Sequence, residues 1–328
     1  MGTDMKEKCG IAVVGTVLVD LINTINTYPE IGELTQIQSV EKTVGGCVPN
    51  VAIDLKRLDP SLQVKAIGRI GKDDEGALVK QTLLSEGIDI SGLIEQETKT
   101  SFTQVMSVKG GQRTFFTYAG ASAAFGAADI ALDTLHVKML HLGYLLLLEK
   151  IDSGDGVRIL QEAKMRGIQT SVDLVSESAD RYASVLPCLP YTDNLIINEL
   201  EAGALTGIAP KRENLREIAE KLMAYGVRER VIIHMKELGI CLSRRGFTVV
   251  PSYDLPKNMI LGTTGAGDAF CAGALLGIYQ EKSDEDILSL ASLAAVGALV
   301  AVDAVSGMCS TEDLLKTCKN VKKFDIHL

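Results

Sequence analysis

Short, largely apolar runs recur along this chain and limit its fold more than any other feature. Residues 11–14 end at Gly15, residues 64–67 end at Gly68, and residues 170–174, 195–197 and 231–233 are of the same kind. Runs of this length read as strands buried on both faces. Helical spacing fills the intervals, as in Val51, Ala52, Leu55 and Leu58, or in Leu160, Ala163 and Met165. Strands alternating with helices predict an α/β fold with a mostly parallel sheet covered on both sides. Apolar residues make up 46% and charged residues 23% of 328, the balance of a globular chain. That excludes a disordered, collagenous or low-complexity protein.

One stretch departs from this pattern. Phe102, Gln104, Met106 and Val108 alternate with Thr103, Val105, Ser107 and Lys109, a turn is expected at Gly110-Gly111, and residues 113–118 resume an extended run. This is a β-hairpin signal. Residues 21–44, rich in Thr, Ile and Gln, are candidates for partner strands. The expected organisation is an α/β core from residues 1–19, 45–97 and 121–328, and a small β lid from 20–44 and 98–120. The connections between them would act as hinges.

A net charge of −9, from 33 basic and 42 acidic residues, argues against a nucleic-acid partner. A small anion held by backbone amides stays compatible with it. The apolar run 287–302 stops at Asp303 and contains two serines. It falls short of the ~20 residues a bilayer needs, so it reads as a buried helix and no membrane partner is expected. The first eight residues carry charges of both signs without a secretory pattern. Seven scattered cysteines, with no Cys-x-x-Cys pair, fit a reducing, cytoplasmic setting. His136 and His141, five apart, lack helical metal-binding spacing and are expected to pack or to face solvent.

Chemistry concentrates in four segments. In residues 262–270, Gly-Thr-Thr-Gly-Ala-Gly-Asp-Ala-Phe, three glycines precede an apolar helix running to about Tyr279. Amides at such a helix start form an anion site. Asp268 would repel a phosphate that was merely bound. It reads either as a proton acceptor for phosphoryl transfer or as a helix cap. Gly45 and Gly46 precede Pro49 and Asn50, an arrangement that suits a polyhydroxy ligand or a tight turn. Asn198, Glu199 and Glu201 follow the run 195–197, where they would reach Mg²⁺ through water or simply start a helix. Asp20, just past the first strand, would accept two sugar hydroxyls or lie in solvent. The spacing is neither that of a P-loop nor a dinucleotide fingerprint, which removes a nicotinamide oxidoreductase from consideration.

In this order and over nearly the whole chain, the segments resemble the ribokinase-like carbohydrate kinases, the PfkB family. Gly45-Gly46 with Asn50 is similar to the first family signature. Residues 262–270 are similar to the second, usually written Asp-Thr-x-Gly-Ala-Gly-Asp. The resemblance implies a Rossmann-like three-layer α/β core with a small β-sheet lid, and ATP-dependent phosphorylation of a hydroxymethyl group. It implies Asp268 as catalytic base and Gly265, Ala266 and Gly267 as the anion hole. Asn198 and Glu201 would then lie around Mg²⁺ and the phosphates, and Asp20, Gly45, Gly46 and Asn50 around substrate hydroxyls. Residues 68–76 resemble the family's Gly-x-x-Gly-x-Asp-x-x-Gly stretch, a structural element here. Residues 234–239 resemble the Thr-x-Gly-x-x-Gly nucleotide loop, which puts His234, Lys236 and Gly239, with Thr264, on the ATP side, and residues 294–297 resemble the adenine wall. Three positions depart from the pattern. His234 and Lys236 replace the usual Thr and Gly, and Gly262 replaces the Asp that helps hold K⁺ in potassium-activated members, so K⁺ is not implied.

The expected substrate is a small free sugar. A phosphorylated one would call on Lys109 and Arg113, which also read as ordinary turn charges. A nucleoside would call on Phe102, Phe115, Phe116 and Tyr118 in a chain with 5% aromatics and no Trp. A sugar-binding protein without turnover is a third reading, against which a retained Asp268 argues. The partly apolar outer face of the lid, at Phe102, Met106 and Val108, suggests a homodimer.

Overall fold

The computed structural model describes residues 8–108, 113–176 and 181–326. Lys109 and the expected Gly110-Gly111 turn lie outside the described residues. The strands are β1 (Ile11–Val14), β2 (Leu18–Ile25), β3 (Ile37–Gly45), β4 (Val64–Gly71), β5 (Asp89–Gln96), β6 (Ser101–Val108), β7 (Arg113–Tyr118), β8 (Met139–Leu145), β9 (Gln169–Leu174), β10 (Asn194–Asn198), β11 (Arg230–His234), β12 (Leu238–Ser243) and β13 (Gly246–Pro251). The α-helices are α1 (Cys47–Leu58), α2 (Asp74–Ser85), α3 (Gly156–Met165), α4 (Glu199–Thr206), α5 (Leu215–Ala224), α6 (Ala266–Tyr279), α7 (Asp284–Leu299) and α8 (Thr311–Thr317).

Nine strands form one sheet in the order β13-β12-β11-β10-β9-β8-β1-β4-β5. Neighbours from β11 to β5 run parallel, and β12 and β13 add an antiparallel edge. Alternation along the strands sorts side chains between two apolar layers. Ile11 and Val13 of β1 enter the layer built with α1, α6 and α7, while Ala12 and Val14 enter the layer with α3 and α5. A side chain such as fully buried Leu275 contributes roughly 1.5–3 kcal/mol. The strand order reverses at β1, between β8 and β4. In open α/β sheets a ligand crevice forms at that point, beyond the carboxyl ends of the strands.

Two features fix what lies there. The α6 and α7 helices pack closely because Gly273 has no side chain; a Cβ would sit 2.7 Å from the Cα of Ala291. A second sheet, β3-β2-β6-β7, is built from two separated pieces of chain. Its register puts Asp20 beside Thr103, Thr103 beside Thr117, and Val105 beside Phe115, so one face carries Asp20, Phe115 and Arg113. Phe102, Met106, Phe116 and Tyr118 lie on the other. No helix among the described residues is long and apolar enough to cross a membrane.

Asp54, in the middle of α1, is fully buried, and neither of its carboxylate oxygens has a hydrogen-bond partner among the described residues. Burial first, and the charge of Asp268 second, push its pKa well above the ordinary carboxylate range, with Arg57 opposing. The folded chain therefore keeps a proton that the unfolded chain releases near pH ~3.9, and stability is lost as pH rises above that value. In Asp54→Asn, the melting temperature relative to the parent is expected to climb between pH 5 and pH 8 in calorimetry. A difference that stays flat or falls would contradict the assignment.

Candidate active site

The loop ending at Gly265 turns into α6 through a left-handed residue. Gly265 has φ +77°, and a Cβ there would lie 2.5 Å from the Cβ of Ala304. No side chain caps this helix start. The amides of Ala266, Gly267 and Asp268 occupy the first turn, where no intrahelical acceptor exists. Gly267 is exposed, and the nearest atom to a Cβ placed on it is His234 Cε1 at 3.9 Å. An open concave amide surface at a helix N-terminus attracts anions.

Asp268, 5% exposed, stands in that first turn. Its Oδ2 accepts hydrogen bonds from Asn50 Nδ2 and from the Tyr144 hydroxyl, both at 2.9 Å. Oδ1 receives none among the described residues. Burial, then the charge of Asp173, lift the Asp268 carboxyl to about 6, while the two donors hold it back. Asn50 sits on the first turn of α1 behind Gly46, whose φ is +86°. Its own Oδ1 is buried without a partner among the described residues.

Tyr144 comes from β8 and has φ +57°, unusual for a bulky residue and a conformation that costs about 1–3 kcal/mol. Its amide donates to Asp173 Oδ1 at 2.5 Å, which offsets part of that strain. Tyr144, Asp173 and Ser176 line the cavity above Asp268 and are not among the residues the sequence singles out. All three lie at or just beyond the ends of β8 and β9, so the carboxyl-end rule was the available signal.

A cavity of about 450 Å³ opens above Asp268, lined also by Gly265, Gly267, Tyr144, Glu201 and His234. Among the described residues, no lysine or arginine lines it. Asn198 and Glu201 form a reciprocal cap on α4. Asn198 Oδ1 accepts from the Glu201 amide at 2.8 Å, and Glu201 Oε2 accepts from the Asn198 amide at 3.1 Å. Ser176 Oγ donates to Glu201 Oε1 at 2.8 Å and accepts from Asn198 Nδ2 at 3.0 Å. The structure shows the helix-start reading of this motif, and the same carboxylate lines the cavity. Burial lifts the Glu201 carboxyl to about 7, and a divalent cation would reverse that. The oxygen-only donor set suits Mg²⁺. With both carboxylate oxygens already engaged, Mg²⁺ would be reached through water.

Asp20 lies at the near end of the small sheet, its Oδ2 against Gly45, where a Cβ would be 2.3 Å away. Burial and then Asp268 raise its carboxyl to about 7, and Arg113 opposes them. Arg113 donates to Thr264 Oγ1 and, at 3.4 Å, to the Val302 carbonyl. His234 ends β11 with its ring centroid 4.6 Å from that of Phe270, and burial lowers its pKa to about 4, leaving it neutral at pH 7. Lys236 is exposed on the turn after β11 and is absent from the cavity lining. Gly239 is covered by Phe270 and Leu288, with a Cβ position 3.2 Å from the Phe270 ring. The structure thus places Asn198, Glu201, His234, Gly265, Gly267 and Asp268 around this cavity, with Asn50 bonded to Asp268, Asp20 against Gly45, and Arg113 and Thr264 lining an adjoining cavity, and it leaves Lys236 and Gly239 outside both linings.

The family model described as pfkB family carbohydrate kinase matches residues 9–307. A ribokinase of Arabidopsis thaliana is 25% identical over 315 residues, 94% of this chain and 81% of that one. A fructokinase of Escherichia coli is 27% identical over 289 residues, 82% of this chain and 90% of its own. The structure of Arabidopsis thaliana ribokinase complexed with ribose and ATP superposes with a TM-score of 0.80 at 21% identity, covering 95% of this chain and 99% of that one. The fold is ribokinase-like.

The two loop glycines should separate in thermal unfolding. Gly265→Ala must adopt a left-handed backbone and collide with Ala304, and is expected to lower the melting temperature by several degrees. Gly267→Ala meets open space and is expected to stay within about a degree or two of the parent. Equal losses in both would contradict this reading of the loop.

Proposed function

The chain belongs to the pfkB family of carbohydrate kinases, and from that membership we propose that it transfers the terminal phosphoryl group of ATP to the hydroxymethyl group of a small free sugar. The observation that carries this reading is the buried Asp268 carboxylate, held by Asn50 and Tyr144 beside the open amides of α6. Asp268 takes the proton of the attacking hydroxyl, a role worth roughly 10²- to 10⁴-fold. A carboxyl near 6 is ionised at neutral pH and more basic than an ordinary aspartate. The Gly265, Ala266 and Gly267 backbone receives the charge that develops on the transferred group. Losing one such donor costs a further ~10²- to 10³-fold. Mg²⁺, held through water by Glu201 and Asn198, would neutralise phosphate charge when bound. His234 and Thr264 flank the ATP phosphates in this reading.

On the acceptor side, Asp20 and the unpartnered Asn50 Oδ1 accept sugar hydroxyls against the bare backbone of Gly45 and Gly46. A free sugar fits better than a sugar phosphate. Arg113 is already occupied by Thr264 and Val302 and opposes the rise in the Asp20 pKa. Phe115 lines both this cavity and the adjoining one at Thr264, which is the feature a nucleoside acceptor would use. The small sheet, with residues 20–44 and 98–120, serves as a lid over the sugar and excludes water from the transfer. No K⁺ requirement is proposed. A side chain at Gly262 would begin 2.7 Å from the Ala301 carbonyl, which leaves no room for a carboxylate. Seven free cysteines, five of them buried, suit a cytoplasmic site of action.

ADP release should appear with free ketoses or aldoses in a panel that also holds sugar phosphates and nucleosides. Asp268→Asn is expected to cut kcat at least ~10²-fold while sugar affinity stays within a few-fold. Near-normal kcat in that variant would remove Asp268 as the base, and ADP release with nucleosides alone would reassign the acceptor.

The lid face turned away from the site exposes Phe116 at 58%, Tyr118 at 44% and Val40 at 65%. We take this face to pair two copies of the chain. Light scattering should return a dimer mass that falls to the monomer in Phe116→Glu, and a monomer in the parent would reject the pairing.

A further inference from the structure

Beneath the transfer site lies a group of side chains to which the proposed transfer gives no direct contact with substrate. His141, the third residue of β8, is fully buried, and its Nδ1 is 2.8 Å from Ser171 Oγ on β9. That leaves Nε2 aimed at two further groups, Asp173 Oδ2 at 3.5 Å and Cys271 Sγ at 3.6 Å. Asp173 is 7% and Cys271 2% exposed, and the ligand atoms of all three lie within 4.8 Å of one another.

The two separations from His141 Nε2 fit a metal ion. A tetrahedral zinc with bonds of about 2.0–2.1 Å to nitrogen and 2.3 Å to sulfur holds neighbouring donors roughly 3.3–3.6 Å apart. The outer nitrogen of a ligating histidine ordinarily has a fixed hydrogen-bond partner, the position Ser171 fills here. Asp173 and Cys271 both line the cavity above Asp268, so a fourth coordination position opens onto it. An imidazole, a thiolate and one carboxylate select a borderline or soft cation and not Mg²⁺, which demands oxygen donors.

We propose that His141, Asp173 and Cys271 form a site for one Zn²⁺-like ion, entered from the active-site cavity, and that its occupancy slows phosphoryl transfer. The ion would engage Asp173 through Oδ2 while Oδ1 keeps the Tyr144 amide. It would place a double positive charge beside Asp268 and so weaken that carboxylate as a proton acceptor. The inhibitory half rests on the reading of Asp268 as the base; the binding half does not.

Co²⁺ added to chelator-treated full-length protein, in excess Mg²⁺, reads the site without any turnover. One equivalent should produce a thiolate-to-cobalt charge-transfer band in the near ultraviolet, discharged by one equivalent of Zn²⁺. The band should persist in Cys9→Ser, which removes the exposed thiol. It should vanish in Cys271→Ser, and binding should weaken at least about tenfold in His141→Gln. Asp173→Asn, which keeps an acceptor for the Tyr144 amide, gives an independent arm should Cys271→Ser misfold, and is expected to show the same weakening. No band in the parent, or a band unchanged in both Cys271→Ser and Asp173→Asn, would overturn the site and leave a buried hydrogen-bonded cluster. In the kinase assay, stoichiometric Zn²⁺ should inhibit the parent at least tenfold more strongly than Cys271→Ser, each read against its own metal-free rate. Binding without inhibition would overturn the regulatory half alone.

Discussion

Placing the Asp268 carboxylate out of water, at the start of a helix, is the constraint on which the rest of the site depends. An unpaired buried carboxylate would take up a proton and lose its use as a base. Two donors, Asn50 and Tyr144, act against that by bonding the same oxygen. The α6 dipole acts in the same direction. Burial and Asp173 act in the other. The balance leaves a carboxyl at about 6, basic enough to accept a proton and still ionised at neutral pH.

That balance draws on distant parts of the chain. Asn50 is delivered by α1 from the end of the small sheet, Tyr144 by β8, and Asp268 by a helix clamped against α7 at Gly273. The left-handed backbone of Tyr144 is sustained by Asp173 on the neighbouring strand. Asp54, one turn beyond Asn50, is the opposite case. It is a buried carboxylate with no donor among the described residues, and its pKa moves well above the ordinary range. The two carboxylates differ in partners more than in burial, and only the partnered one is equipped for catalysis.

Much of this was legible in the residues. Strands were evident wherever apolar runs were short and closed by glycine, as at residues 11–14. The glycine loop and the candidate base at residues 265–268 were marked by glycine spacing and an otherwise unwelcome carboxylate. The hairpin strands followed from period-two alternation. What was not legible depends on convergence in space. Tyr144 sits in an apolar stretch with nothing local to flag it. Cys271 and His141 meet across 130 positions, so spacing around His141 could not reveal its neighbours. For Asn198 and Glu201 the sequence left a helix start and an Mg²⁺ site as alternatives, and it cannot tell that the capping carboxylate also lines the cavity. Lys236 and Gly239 were named by loop position, and position along a chain does not say which way a turn points.

The central claim is that the donors around Asp268 set its basicity, and hence the rate of transfer. Single-turnover phosphoryl transfer, measured against pH in the parent and in Tyr144→Phe, tests this most directly. The parent rate should fall on the acid side near pH 6, where the carboxylate takes up its proton. Without the Tyr144 hydroxyl the ionised form loses a donor, and the fall should move to higher pH. An acid limb that keeps the same midpoint in both proteins would contradict the account.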